Sequence, residues 1–267
     1  MRLQSNSAWC CDPRGLCVPE LLAVATRGAV TGVTRRPAAT LLLSANGQPF
    51  TLHMPGLQAL RGTSALIAPG QVRSLQAPES ELLSLNIEPG HPRFRSLAES
   101  LAGRRARVFA PRHFDGGGDA LRLGYEARRG AAAILGAIET LLDMAAGRPQ
   151  PATERDRRVQ HVLATLQADL PERPPLAALA RSVGLSADRL SHLFVETMGM
   201  PLRSYMLWQR YRAALIQLPR CPSLTELANR CGFSDAAHMT RTFVGFFGVS
   251  PSRLRRSGFL QDFCAPT

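Results

Sequence analysis

A stretch near the C-terminus occurs twice, and this repeat restricts the fold more than any other feature of the chain. Residues 176–194 (LAALARSVGLSADRLSHLF) match residues 224–243 (LTELANRCGFSDAAHMTRTF) at an offset of 48, which becomes 49 after a one-residue insertion. In the first copy Leu176, Leu179 and Ala180 share one side of a short helix. Gly184 marks a turn, Ser186 is placed to cap the next helix, and Leu190, Leu193 and Phe194 form that helix's buried face. Leu224, Leu227, Ala228, Gly232, Ser234, Met239 and Phe243 take the same roles in the second copy. Two helices crossing steeply over a tight turn need a small side chain at the crossing, here Ala180 and Ala228. They also need a residue that tolerates positive φ, here Gly184 and Gly232. A serine can then satisfy free amides at the start of the second helix. This is the pattern of a helix-turn-helix, whose second helix enters the DNA major groove.

The charge distribution agrees with such a partner. The chain of 267 residues carries a formal net charge of +12, and all 32 of its basic residues are arginine. Residues 155–258 hold 15 arginines against 7 acids, whereas residues 1–154 hold 17 against 12. A basic excess concentrated in one region favours a polyanion, and nucleic acid is the stronger expectation over a membrane surface. The absence of lysine excludes P-loop nucleotide hydrolysis, Schiff-base chemistry and Ser-x-x-Lys acyl transfer, each of which needs that amine.

The remainder of the chain reads as a separate α+β region. Short apolar runs at 21–25, 40–43, 50–54, 64–68, 72–75 and 81–87, punctuated by Pro69-Gly70 and Pro89-Gly90, have the spacing of successive strands. Apolar residues then fall at helical spacing over 93–102 and 120–146, with Gly116, Gly117 and Gly118 between the two stretches. Residues 147–153 (GRPQPAT) look like a linker, and everything beyond it is helical, with patterns at 154–169, 176–183, 186–197, 202–218, 224–231 and 235–247. The expected domains are therefore 1–147, a linker at 148–154, an all-α domain at 155–258 and a tail at 259–267. No secretory h-region is expected, because Pro13, Glu20 and Arg27 interrupt the N-terminal residues. The most apolar helical stretch carries Glu139 and Asp143, so no membrane span and a cytoplasmic location are expected. Cys10, Cys11, Cys17, Cys221, Cys231 and Cys264 read as reduced thiols, since the N-terminal trio lacks a second ligand pair at zinc spacing.

Residues 159–255 resemble the AraC/XylS family of bacterial transcription regulators. The resemblance rests on the doubled motif and on Gly232-Phe233-Ser234, Phe243 and the stretch Phe246-Phe247-Gly248-Val249-Ser250-Pro251. It implies two helix-turn-helix subdomains joined by a long helix at 202–218, with recognition helices entering successive major-groove faces about 34 Å apart. Burial of Leu190, Leu193 and Phe194 turns Ala187, Asp188, Ser191, His192 and Val195 outward. The resemblance places Asp188, Ser191 and His192 of these at contact positions. In the second copy Ala237, Thr240, Arg241 and Val244 face outward with Ala236, His238 lies at the flank, and Arg241 is the candidate for a bidentate guanine contact. Arg189, Arg203, Arg210, Arg212, Arg230, Arg253, Arg255 and Arg256 are candidate phosphate contacts. Tyr205, Trp208, Tyr211, Phe246 and Phe247 recur at helical spacing and read as core.

The N-terminal region resembles, through residues 41–43, 68–70 and 86–92, the cupin-like effector-binding and dimerisation domain that often precedes such a pair. The implied fold is an N-terminal cupin-like β-barrel with two helices. Its histidines, His53, His91 and His113, are too scattered for a His-x-His metal site, and Val72 and Arg73 follow the Pro-Gly turn where metal cupins often place a histidine. Neither a cofactor nor a catalytic centre is expected. Arg27, Arg61 and Arg73 are candidates to hold a carboxylate on a small-molecule effector. Expected partners are double-stranded DNA and that effector, with RNA polymerase and a second copy of the chain, paired through 131–144, as further candidates. The competing expectation is a ligand-binding or enzymatic cupin carrying a basic module for RNA or protein docking. The doubled motif speaks against RNA, whose A-form major groove is too narrow for a helix.

Overall fold

The computed structural model describes residues 9–126, 131–147, 156–168 and 176–256. The chain separates into two compact units, one formed by residues 1–150 together with 243–267 and the other by residues 151–242. The expected linker at 148–154, the tail at 259–267 and Cys264 lie outside the described residues.

In the first unit eight strands, β1 (Trp9–Val18), β2 (Leu21–Arg35), β3 (Ala39–Ser44), β4 (Phe50–His53), β5 (Leu60–Gly62), β6 (Ser64–Ile67), β7 (Val72–Ile87) and β8 (Ala106–Val108), build one antiparallel sheet. Its order is β1-β2-β7-β3-β6-β8, with β4 paired to both β7 and β5. The two runs at 72–75 and 81–87 prove to be one strand, β7. Its first half pairs with β4 (Leu52 to Leu75) and its second with β3 (Leu41 to Leu85), while β2 follows nearly its whole length. What looks like a break, Pro78-Glu79-Ser80, is a register shift opposite Gly28, whose φ of 63° bends the partner strand. The sheet path ends at β1 and β8, and no pairing joins these strands among the described residues, so the expected barrel is observed as an open sheet.

Side-chain alternation divides the core between the sheet's two faces. Leu41, Leu43, Leu83, Leu85 and Ile87 pack with α1 (Phe94–Ser100) and α3 (Ala131–Ala146) through Leu97, Ile134, Ile138, Leu141 and Leu142. The helix expected over 120–146 is thus α3 preceded by α2 (Gly118–Glu126). The alternate residues Leu42, Phe50, Leu52, Ile67, Leu75 and Leu82 form a second cluster on the other face.

The second unit contains α4 (Arg157–Ala168), α5 (Leu176–Ser182), α6 (Ala187–Met198), α7 (Leu202–Gln217), α8 (Leu224–Arg230) and most of α9 (Ala236–Phe247). Val159, Val162 and Leu166 of α4 pack with Leu179, Leu190, Phe194 and Tyr205 in one core. Trp208 and Tyr211 of α7 are fully buried and stacked, with ring centroids 5.5 Å apart, so the aromatics are core as expected.

Helix α9 crosses the division: its residues to Thr242 belong to the second unit, and Phe243 onward, with α10 (Pro251–Arg256), belong to the first. Within the first unit Arg36 Nε donates to the Phe246 carbonyl at 2.7 Å, and the Arg36 guanidinium lies 3.9 Å from the Phe247 ring centroid. Near this anchored end α9 carries Gly245, exposed and with open space around its Cβ position.

Candidate nucleic-acid interface

The two repeats close their turns with the same hydrogen bonds. The Leu185 amide donates to the Ala180 carbonyl and the Phe233 amide to the Ala228 carbonyl, each at 2.9 Å. Gly184 and Gly232, with φ of 68° and 73°, add bonds to Arg181 and Asn229 at 3.1 Å. This is a Schellman closure at the end of each first helix, with Leu185 and Phe233 folded back over the alanines. The correspondence continues to the ends of the second helices, where Gly199 and Gly248 donate to Val195 and Val244 at 2.8 Å.

The caps differ between the copies. Ser186 Oγ accepts from the Arg189 amide at 3.2 Å, as expected. Ser234 caps no amide: it donates to Asp235 Oδ2 and lies 3.2 Å from His238 Nδ1. The cap of α9 is Asp235, whose Oδ1 accepts from the His238 amide at 2.6 Å. That bond, followed by the Ser234 hydroxyl, holds the Asp235 carboxyl below its ordinary value. The inserted residue explains the change, because beyond it the offset is 49 and Ser186 corresponds to Asp235.

The outward faces of α6 and α9 also correspond. Asp188, His192 and Val195 are exposed on α6, and Ala237, Arg241 and Val244 on α9, while Leu190, Phe194, Met239 and Phe243 are fully buried. Val195 and Val244, each 43% exposed, occupy equivalent positions. Ser191 and Thr240, half-buried and also equivalent, donate to the carbonyls four residues earlier, Ala187 and Ala236, at 2.9 and 2.8 Å. With the proton so used, each hydroxyl presents acceptor lone pairs only.

Around these faces Arg189, Arg203 and Arg253 are exposed, Arg255 is half-buried, and Arg230 is exposed but ion-paired with Glu226 one turn back on α8. Arg210 and Arg212 correct the sequence expectation. They are 6% and 8% exposed on α7, so their guanidinium groups are interior and leave the set of phosphate contacts. The side chain of Arg256 is outside the described residues.

In the first unit a small, partly open pocket is bounded by β2, β3, β4, β7 and Phe247. Leu42, Leu52, Leu75 and Leu82 form much of its wall, with Thr26, Arg36 and Arg73 among the polar residues. Of the three arginines considered for an effector, Arg61 is exposed and Arg27 points outward beside Glu81, whereas Arg73 is 3% exposed and lines the pocket. Arg36 and Thr26 were not anticipated, since nothing in the sequence around either sets it apart.

The histidines are separated by structure as well as sequence. His91 Nε2 meets Glu139 at 3.2 Å, His113 Nε2 meets the Met144 carbonyl at 2.8 Å, and His53 is exposed on β4. Among the described residues no group of three or more His, Cys, Asp or Glu is placed to hold a metal ion. Cys17, Cys221 and Cys231 are buried, and burial raises the Cys231 thiol to about 11. No described helix is long and apolar enough to cross a membrane.

Comparison with known proteins adds independent support. The family described as "Helix-turn-helix domain" matches residues 179–257. The Msm operon regulatory protein of Streptococcus mutans is 30% identical over 80 residues, 29% of this chain and 28% of that protein. The arabinose operon regulatory protein of Escherichia coli is 37% identical over 82 residues, 30% of this chain and 28% of that protein. The alignments thus span under a third of the length of these two relatives. An apo form of ToxT from Vibrio cholerae aligns over 91% of this chain and 99% of its own with a TM-score of 0.60 at 10% identity. ToxT solved with an unsaturated fatty acid bound aligns over all of both chains at 0.54 and 13%. At such identities the likeness is one of fold: an N-terminal antiparallel β-sheet domain and a C-terminal helical domain.

Proposed function

We infer that this chain, whose residues 179–257 match a helix-turn-helix domain family, is a sequence-specific DNA-binding transcription regulator of the AraC/XylS kind whose N-terminal β-sheet domain senses a small molecule. The observation that carries this reading is the matched exposure of α6 and α9, two helices with the same turn, the same C-terminal closure and equivalent outward residues. Each would enter a major groove and place three or four side chains against base edges. Arg241 is the guanine reader, able to meet O6 and N7 with its fork. Asp188 and the acceptor-only hydroxyls of Ser191 and Thr240 suit the amino groups of cytosine or adenine. His192 donates to a guanine or a phosphate, and Ala237 and Val244 meet thymine methyl groups. Arg189, Arg203, Arg230, Arg253 and Arg255 hold the backbone.

The β-sheet domain is proposed as a cupin-like receiver, with DNA, an effector, RNA polymerase and a second copy of the chain as partners, in the cytoplasm and without enzymatic activity. Other proteins of this fold offer a parallel in that ToxT has been solved with a fatty acid bound. Footprinting on the DNA upstream of the gene and its neighbours tests the reading. Two protected stretches in adjacent major grooves on one side of the duplex, about 10 base pairs apart, are expected. Protection of no segment, or of only one groove, would overturn it.

A further inference from the structure

The pocket of the first unit contains a buried cation, Arg73, whose hydrogen bonds do not neutralise it. Arg73 is 3% exposed, and its hydrogen bonds go to neutral oxygens, the Thr40 hydroxyl at 2.8 Å and the Gln71 carbonyl at 3.2 Å. No carboxylate pairs with it among the described residues. Arg36, 6% exposed and lining the same pocket, adds a second positive charge beside it. Burial first, and Arg36 second, push Arg73 well below its ordinary pKa, yet a guanidinium stays charged in proteins. The Thr26 hydroxyl, 3% exposed and also lining the pocket, has no hydrogen-bond partner among the described residues. Interiors rarely keep a cation and a hydroxyl in this condition unless something else completes the site.

The shape of what is missing follows from the lining. A cation at one point of an otherwise leucine-rich wall calls for one negative group on an apolar body. Guanidinium forks match the two oxygens of a carboxylate. We propose that the β-sheet domain binds a small carboxylic acid, its carboxylate held by Arg73 and Arg36 and its apolar body lying along Leu42, Leu52 and Leu75. This deepens the sensing role proposed above and rests on it. Arg36 also holds the Phe246 carbonyl and the Phe247 ring, so the acid shares its clamp with the last turn of α9.

Titration calorimetry on the full chain with hexanoate and benzoate, and with hexan-1-ol and benzyl alcohol as uncharged counterparts, tests the proposal. Saturable binding of at least one acid at one per chain is expected, with the matching alcohol about tenfold weaker or more. Arg73→Met should weaken the acid at least about tenfold while raising the melting temperature of the empty protein, because it removes a buried charge. If Arg73→Met fails to fold, Arg36→Gln carries the same expectation for binding. Absence of binding by both acids, equal binding of acid and alcohol, or an unchanged affinity in a folded arginine variant would overturn the proposal. Footprinting on the same preparation separates the failures: protection without acid binding sinks the carboxylate site alone, and loss of protection sinks the regulator.

Discussion

At the scale of single residues, the one-residue insertion between the repeats decides which side chain caps which helix. Two serines at an offset of 48 suggested two equivalent caps, but only Ser186 accepts from an amide, and Asp235 does so for α9. Ser186→Ala should therefore lower stability by about 1 kcal/mol and Ser234→Ala by less than half of that, measured by denaturant unfolding. The Asp235 carboxyl titrates below its ordinary value, so its charge stabilises the fold fully above the unfolded value of 3.8 and ceases to do so as pH falls through the lowered folded value. Asp235→Asn should reduce the melting temperature near neutral pH, with the gap to the parent chain closing in acid. Replacing Arg241 by alanine should relax preference at one base position by about 1–3 kcal/mol while leaving salt-dependent nonspecific binding nearly intact. Equal weakening on every sequence in a competition assay would make Arg241 a phosphate contact. The base-facing residues were readable from helical spacing alone, since that spacing fixes which side of α6 and α9 is buried. Arg210 and Arg212 were not, because α7 is packed on so much of its surface that a charged residue there carries no periodic sign of being interior.

Among the elements, those with a strong local signal were legible and those held by distant partners were not. The helices of the second unit could be read to within a residue or two, apart from the start of α4, expected at 154 and found at Arg157, because caps, glycines and apolar spacing agree. In contrast, β7 looked like two strands because Pro78-Glu79-Ser80 interrupts its alternation, and its continuity depends on β2 running opposite. Strand β1 was missed for a related reason: its sequence, WCCDPRGLCV, has little alternation, and it is held by pairing to β2. The left-handed turns make a sharper prediction. Gly184→Ala and Gly232→Ala should each destabilise by about 1–2 kcal/mol, since φ values of 68° and 73° place a Cβ against the following carbonyl. Gly245 is the opposite case, helical and with open space, so Gly245→Ala should stabilise by about 0.5–1 kcal/mol. A comparison of the three variants by thermal unfolding separates turn strain from helix propensity.

For the whole molecule, charge and burial act together. If about five of the exposed arginines near α6 and α9 each neutralise a phosphate, the logarithm of the DNA affinity should fall with the logarithm of salt at a slope of roughly −4 to −5. A slope near zero in a salt series would leave the net charge without a role in binding. The open sheet shows how far the sequence could be taken: short strands at regular intervals announce a β-domain, but whether its ends meet is set by pairing between β1 and β8, which no local pattern records. Arg73 has a consequence of a different kind. A buried cation without an anion makes the empty protein the weaker form, and an occupant at a hundredfold above its dissociation constant would add about 2.7 kcal/mol to folding. Cellular proteases sample the unfolded fraction continuously, and a difference of that size changes abundance several-fold. The effector would then govern how long each copy of the regulator survives, so that cells lacking it hold fewer copies even where transcription and translation of the gene are unchanged.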